Sequence, residues 1–93
     1  METYIDIDVQ GTHCHCFLDT GCERSLVPRK MVPSATLTPT SINVYAANGT
    51  RIPLLGSMQL CFLVNDMPMS ANLLVTDAVE ELMLGIDWLT EIG

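Results

Sequence analysis

The fold of this chain follows from one segment, which reads FLDTGCERSLVP over residues 17–28. An apolar strand end, Phe17-Leu18, leads directly into Asp19-Thr20-Gly21. A strand would hold the Asp19 side chain rigidly, and Gly21 would let the backbone turn sharply behind it. The tripeptide alone is weak evidence for chemistry, because Asp and Gly are also ordinary turn residues. The rest of the chain must therefore decide whether Asp19-Thr20-Gly21 is a catalytic segment or an ordinary turn.

Short runs of β-forming residues, separated by turn residues, surround this segment. Residues 3–9 and 13–18 have the alternation of two strands joined by a turn at Gln10-Gly11. Residues 33–39 are rich in Thr, Ser and Pro and predict a surface loop. Further extended segments are predicted at 25–28, 42–45, 50–55, 58–64 and 71–75, with a turn at 65–68.

The strongest hairpin signal is Asn48-Gly49, because a two-residue type I′ turn requires positive φ at both positions. Near the end of the sequence, an apolar triplet at 82–84 precedes Gly85. Asp87 is then predicted to cap a final helical turn through residues 90–92. The sequence has about seven predicted strands and one helix at most, which indicates an all-β fold. We expect residues 1–93 to form a single domain.

Composition excludes several classes of partner. The net charge is −7, with only four Lys and Arg, whereas nucleic acids and anionic membranes require clustered positive charge. No apolar run approaches the length of a membrane span. No secretory signal is visible at the start, so we expect an intracellular protein with reduced thiols at Cys14, Cys16, Cys22 and Cys61.

The tract His13-Cys14-His15-Cys16 contains four residues of types that bind metal ions, which suggests a metal site. Alternation along a strand places the two His on one face and the two Cys on the other, which disfavours four-ligand binding by one chain. We therefore predict no metal and no cofactor. A stabilised thiolate would make Cys22 a redox switch, but a small buried residue is the favoured interpretation.

Three blocks of the sequence together resemble the retropepsins, especially those of gypsy-type retrotransposons. Residues 17–28 are similar to the active-site segment of that family, AANGTRIP over 46–53 to its flap hairpin, and LMLGIDWL over 82–89 to its second signature. The blocks follow the order and approximate spacing of the family, and the resemblance spans about Tyr4 to Gly93. It implies a closed retropepsin-like (acid protease) β barrel with one short C-terminal helix.

The resemblance also implies a mechanism that needs two chains. One carboxylate cannot both activate water and protonate the substrate carbonyl, whereas two close carboxylates share a proton and divide these roles. This chain has one Asp-Thr-Gly, so a symmetric homodimer must supply the second Asp19. By the same resemblance, Thr20 hydrogen-bonds across the dimer axis and Gly21 lies against the substrate backbone.

The implied substrate is an extended peptide or polyprotein, held between the catalytic loops and a hairpin lid. The candidate substrate-binding residues are Arg24, Ala46, Ala47, Asn48 and Gly49. Without the resemblance, an exposed turn with no function would be the better interpretation of this hairpin.

The function that follows is an aspartic endopeptidase that processes a retroelement Gag-Pol polyprotein, in the cytoplasm or within retroelement particles. One alternative is a domesticated retropepsin-like domain of a host protein. Another is a non-catalytic dimerisation or peptide-binding module. The intact Asp19-Thr20-Gly21 favours an enzyme over the module.

Two features depart from many retroviral members of the family. Ile86 stands where they carry an Arg that pairs with an acid, here Glu23, so one ionic brace of the dimer is absent. The sequence also leaves little length for the interleaved terminal strands of those relatives, which we expect to be short or missing here.

We therefore predict that the isolated chain forms only a weak dimer, whose activity rises faster than linearly with protein concentration. The remaining contacts should fall below the roughly 1,000 Å² of a stable interface. Each subunit carries a charge of −7, so added salt should strengthen the pair by screening its repulsion. Sedimentation over a concentration series measures this, and a tight dimer at nanomolar protein would contradict the prediction.

Overall fold

The computed structural model describes residues 3–19, 21–46 and 48–92, with only the backbone described at 91 and 92. A 3₁₀ turn covers Arg29–Met31, and one α-helix, α1, covers Ile86–Ile92. The strands of the described part are β1 Thr3–Val9, β2 Thr12–Leu18, β3 Leu26–Pro28, β4 Val44–Tyr45, β5 Arg51–Ile52, β6 Gly56–Val64, β7 Met67–Thr76 and β8 Met83–Leu84.

Six of these strands close into a barrel in the order β1-β2-β8-β3-β7-β6, and β4 and β5 form a separate two-stranded ribbon. Strand β2 runs parallel to β8, β3 runs parallel to β7, and β8 runs antiparallel to β3. Closure leaves the sheet without long unpaired edges. The predicted closed β barrel with one short C-terminal helix is therefore confirmed.

The β1–β2 hairpin shows the alternation that the sequence predicted. Ile7 and Cys16 are at most 1% exposed and face the core, whereas His13 and His15 are exposed. The two strands pair along their whole length, from Thr3 opposite Leu18 to Val9 opposite Thr12. Because successive side chains of a strand point to opposite faces, the His and Cys residues of this hairpin are separated as expected.

Two tight turns have the left-handed backbone of type I′. Gln10-Gly11 has φ values of 52° and 82°, and Asn65-Asp66 has 51° and 64°. Each turn joins strand ends that pair directly, so each loop has two residues. The second turn is shorter than predicted, because residues 67 and 68 already belong to β7.

The predicted type I′ turn at Asn48-Gly49 is wrong. Gly49 has a φ of 85°, but the hydrogen bonds of the loop join Ala46 to Thr50 and Gly49, so the loop has more than two residues. The loop closes instead through Ala46, whose N–H donates to the Thr50 carbonyl at 2.8 Å and whose carbonyl accepts the Gly49 N–H at 2.9 Å. This wider hairpin loop needs one left-handed residue, and glycine supplies it without steric cost.

Two other predicted boundaries also differ. The second strand of the hairpin was predicted over residues 50–55, but only Arg51 and Ile52 pair with the first strand. The helix begins at Ile86, so Asp87 lies within its first turn and does not precede it. Both residues of the short β5 strand pair only with β4, so the ribbon is not hydrogen-bonded into the barrel sheet.

The apolar interior has two parts that β7 separates. Leu73 and Val75 are fully buried in the main cluster, which also contains Trp88, 4% exposed. Leu74 points to the other side and packs with Leu26 and Val44 in a smaller cluster. This smaller cluster supports the ribbon and the face of the barrel beneath it.

The main cluster should dominate the stability of so small a domain. We expect Leu73→Ala to lower the free energy of unfolding by about 2.7–5 kcal/mol, because a fully buried leucine leaves a cavity. The matched control is Leu55→Ala, since Leu55 is 48% exposed and should cost less than about 1 kcal/mol. Urea denaturation measures both, and equal losses would contradict this description of the core.

Candidate active site

Asp19 directly follows β2 and is anchored by its backbone on both sides. Its N–H donates to the Leu84 carbonyl at 3.0 Å, and its carbonyl accepts the Cys22 N–H at 3.1 Å. The half-buried carboxylate is oriented by the Gly21 N–H, which donates to Asp19 Oδ1 at 3.0 Å. The side chain is thus presented at the end of a strand, as the sequence predicted.

The far end of this loop is tied to the start of α1 through Ser25 and Asp87. Ser25 is 1% exposed, and its hydroxyl donates to Asp87 Oδ1 at 2.8 Å and accepts the Gly85 N–H at 3.0 Å. The Ser25 N–H donates to Asp87 Oδ2 at 3.1 Å, and the Trp88 N–H donates to Oδ1 at 2.8 Å. Hydrogen bonds to an ionised carboxylate are roughly twice as strong as neutral ones.

Gly85 permits this contact because the loop backbone lies directly against it. A Cβ at this position would lie 2.6 Å from the Cys22 carbonyl oxygen and 2.9 Å from that of Arg24. The next residue, Ile86, donates its N–H to the Cys22 carbonyl at 2.9 Å. Any larger residue would push the Asp19 loop away from the helix, so the sequence requires glycine here.

A cleft of about 500 Å³ lies between the Asp19 loop and the β4–β5 ribbon. Its floor is largely the smaller apolar cluster, and the ribbon supplies the opposite wall through Tyr45 and Arg51. The apolar side chains that line it are Leu26, Ile52, Pro53, Ala78, Val79 and Met83. The cleft is therefore mostly apolar, with one acid directed into it from the loop.

The structure brings together four of the six predicted site residues that it describes. Asp19, Gly21, Ala46 and Asn48 line the cleft. Gly49 lies at the exposed end of the hairpin, and Arg24 lines an adjoining groove and not the cleft itself. Thr20 and Ala47 lie outside the described residues, so their predicted roles stay predictions.

Sequence reasoning missed several residues that matter here. Ser25 and Asp87 are 62 positions apart in the sequence, and Asp87 was interpreted as a helix cap, so no local pattern links the two. Arg51 also lines the cleft. Its place on the predicted strand after the Asn48-Gly49 turn was the only feature of the sequence that could have indicated this. The apolar lining from residues 78–83 has no motif of its own.

Asp19 is the only carboxylate among the described residues that line the cleft. One carboxylate cannot act as base and acid at the same time. Among the described residues, the cleft of one chain therefore offers a single carboxylate for acid–base chemistry and not a pair.

Cys22 lines the same cleft, and its thiol donates to the Arg24 carbonyl at 3.1 Å. Partial burial raises the pKa of this thiol, and the negative charges of Asp19, Asp87 and Glu23 raise it further. A protonated thiol is a poor nucleophile, which disfavours a redox role and is consistent with a packing residue. All four cysteines are free thiols in the structure.

The exposed face of the β1–β2 hairpin carries paired His and Asp side chains. His15 Nδ1 lies 3.0 Å from Asp6 Oδ1, and His13 Nδ1 lies 3.0 Å from Asp8 Oδ1. The hydrogen bond with His15 lowers the pKa of Asp6. Within residues 3–19, 21–46 and 48–92, no group of three metal-binding side chains has a geometry that would hold an ion.

The described residues also contain no helix that is long and apolar enough to cross a membrane.

No protein-family profile and no curated protein matches this sequence. Solved structures do match it. The retroviral protease-like domain of Ddi1 from Leishmania major has a TM-score of 0.74 at 14% identity, over 98% of this chain and 75% of that chain. EIAV protease complexed with the inhibitor HBY-793 has a TM-score of 0.69 at 15% identity, over 100% of this chain and 89% of that chain. The protease of Simian Foamy Virus (mac) has a TM-score of 0.63 at 17% identity, over 96% of this chain and 97% of that chain.

At these identities the likeness shows a shared fold. The chain has the retropepsin-like fold that the sequence predicted, and the matching structures are retroviral or retroviral-like protease domains. The closer affinity to gypsy-type retrotransposon proteases stays a prediction.

The junction of Asp87 with Ser25 should stabilise the whole domain. We expect Asp87→Ala to lower the free energy of unfolding by about 1–3 kcal/mol, because it leaves the buried Ser25 hydroxyl without its acceptor. The matched control is Asp77→Ala, since Asp77 is exposed and its carboxylate accepts no hydrogen bond from the described residues. Thermal or urea unfolding measures both, and a neutral Asp87→Ala would show that the junction contributes little.

Proposed function

We propose that this chain is one subunit of a homodimeric aspartic endopeptidase. The observation that carries the proposal is the position of Asp19, fixed on one wall of a mostly apolar cleft whose opposite wall is the β4–β5 hairpin. The retropepsin-like fold supports the same conclusion. Two such loops, related by a two-fold axis, would bring two Asp19 carboxylates to one site.

The chemistry follows from the pair. Two carboxylates a few ångströms apart cannot both ionise cheaply, so they hold one proton between them. The ionised Asp19 accepts a proton from a bound water as it attacks the peptide carbonyl, and the protonated Asp19 donates to the carbonyl oxygen. Because the pair must hold a proton, activity is expected at acidic to mildly acidic pH.

The cleft suits an extended peptide. The β4–β5 ribbon and the Asp19 loop offer backbone groups on both sides, and alternate side chains of the peptide enter pockets. The apolar lining from Leu26, Val79 and Met83 favours an apolar side chain beside the scissile bond. The β4–β5 ribbon has only four paired residues and forms a sheet separate from the barrel, which suits a lid that closes over the substrate.

In its biological setting, we propose that the enzyme processes the Gag-Pol polyprotein of a retroelement, including its own junctions. The likeness to a domain of a Leishmania major protein favours a second candidate, a retropepsin-like domain of a host protein that acts on cellular proteins. The sequence that flanks this chain in its gene distinguishes the two, since a downstream reverse transcriptase indicates a retroelement.

The direct test of catalysis is Asp19→Asn. This variant should lose peptide cleavage by at least about a hundredfold while it keeps the fold, because an amide cannot exchange the shared proton. A peptide library cleaved with and without pepstatin, a general aspartic-protease inhibitor, provides the assay. Asp77→Asn, which makes the same change at an exposed site outside the cleft, is the control. Cleavage by Asp19→Asn at the wild-type rate would exclude Asp19 as the catalyst.

A further inference from the structure

The four cations of this acidic chain divide into two groups. Arg29 donates to the carbonyls of Val32 and Ala35, and Lys30 pairs with Glu80 at 2.6 Å. Arg24 and Arg51 are exposed, and neither side chain makes an ion pair or hydrogen bond with the described residues. The chain has eleven Asp and Glu, so acidic partners within the protein are plentiful. Both unpaired cations lie on the face that carries Asp19.

Arg24 lines a second groove, of about 330 Å³, that continues from the cleft. The two depressions share Gly21, Tyr45 and Ala46, so a chain that leaves the cleft between loop and ribbon passes into this groove. The groove differs from the cleft in character, since Asn43, Glu23 and Arg24 contribute polar side chains. An apolar compartment therefore adjoins a polar one that holds an unpaired cation.

Nearby acids do not neutralise Arg24. Asp87 and Arg24 line two further depressions together, but the Asp87 carboxylate accepts the donors of Ser25 and Trp88. Glu23 lies at the groove and is exposed, without an ion pair among the described residues. Its negative charge opposes an acidic ligand, so the selectivity that Arg24 provides should be moderate in size.

We infer that this groove takes an acidic side chain of the peptide substrate, and that Arg24 determines this specificity. The inference rests on the proposed peptidase function and adds the substrate class. A guanidinium presents a planar fork of donors that matches a carboxylate. An extended peptide advances about 3.3 Å per residue and alternates its side chains, so the acid should lie within two residues of the scissile bond.

The test measures binding and cleavage separately. NMR titration of the Asp19→Asn protein measures affinity without turnover for peptide pairs that differ only in Glu or Gln. The Glu or Gln stands at one of four positions, two on each side of a reference bond. That bond is the one that the wild-type protein cleaves in the library. If the wild-type protein cleaves no peptide, the reference is the bond within a central pair of apolar residues. At one of these positions the Glu peptide should bind about two- to fivefold more tightly than the Gln peptide.

Variants assign the effect to the groove. Arg24→Gln should reduce the Glu preference to about one, and Arg24→Glu should reverse it in favour of Lys at the same position. The matched control is Lys30→Gln, which changes the net charge equally but lies away from the groove and should keep the preference. Equal affinity for Glu and Gln peptides at every position, no binding of any of these peptides, or a preference that survives Arg24→Gln would overturn the inference.

Cleavage distinguishes this inference from the function on which it rests. If the wild-type protein cleaves Glu and Gln peptides equally and Asp19→Asn cleaves neither, the peptidase stands and the acidic specificity fails. If the Glu preference depends on Arg24 in the binding assay but no Asp19-dependent cleavage occurs, the groove is confirmed and the peptidase fails.

Discussion

Three hydrogen-bond donors converge on the carboxylate of Asp87, and the position of the Asp19 loop depends on this junction. Two of them come from Ser25, at the end of the Asp19 loop, and one comes from Trp88 in the helix. The loop is thereby held between β8 and α1, with Gly85 leaving just enough space for its backbone. The helix is short, but it fixes the loop from one side while Trp88 anchors it in the main core.

This rigidity would suit the proposed site, in which a second molecule supplies the other carboxylate. A loop that is positioned by its own barrel can meet its symmetry mate in one geometry, and general acid–base catalysis depends on that geometry. The barrel itself is small, and a chain of this length buries a modest core. Association with a second copy would therefore contribute stability as well as the second carboxylate.

Much of the site could be predicted from the sequence because its elements are local. Asp19 follows an alternating strand, and the residues around Asn48-Gly49 form a hairpin, although the loop is wider than the dipeptide predicted. The ends of β5 and β7 were misjudged because ladder pairing, and not residue propensity, determines where a strand ends. Thr20 and Ala47 lie outside the described residues, so the structure does not test them.

The contacts that were missed are those between distant parts of the chain. Ser25 looks like an ordinary strand residue and Asp87 like a helix cap until the barrel brings them together over 62 positions. Arg24 was a candidate by position alone, and only the structure shows it beside a groove that extends the cleft, without an ion pair to the described residues. Pairing between distant residues depends on topology, which periodicity and turn signals do not specify.

The central claim is that one active site uses Asp19 from two copies of the chain. Mixing wild-type protein with Asp19→Asn at constant total concentration tests it directly, with cleavage measured against the wild-type fraction. If both carboxylates are required, mixed dimers are inactive and activity falls as the square of that fraction. A linear fall would show that each chain acts with its own Asp19 alone, and would contradict the account.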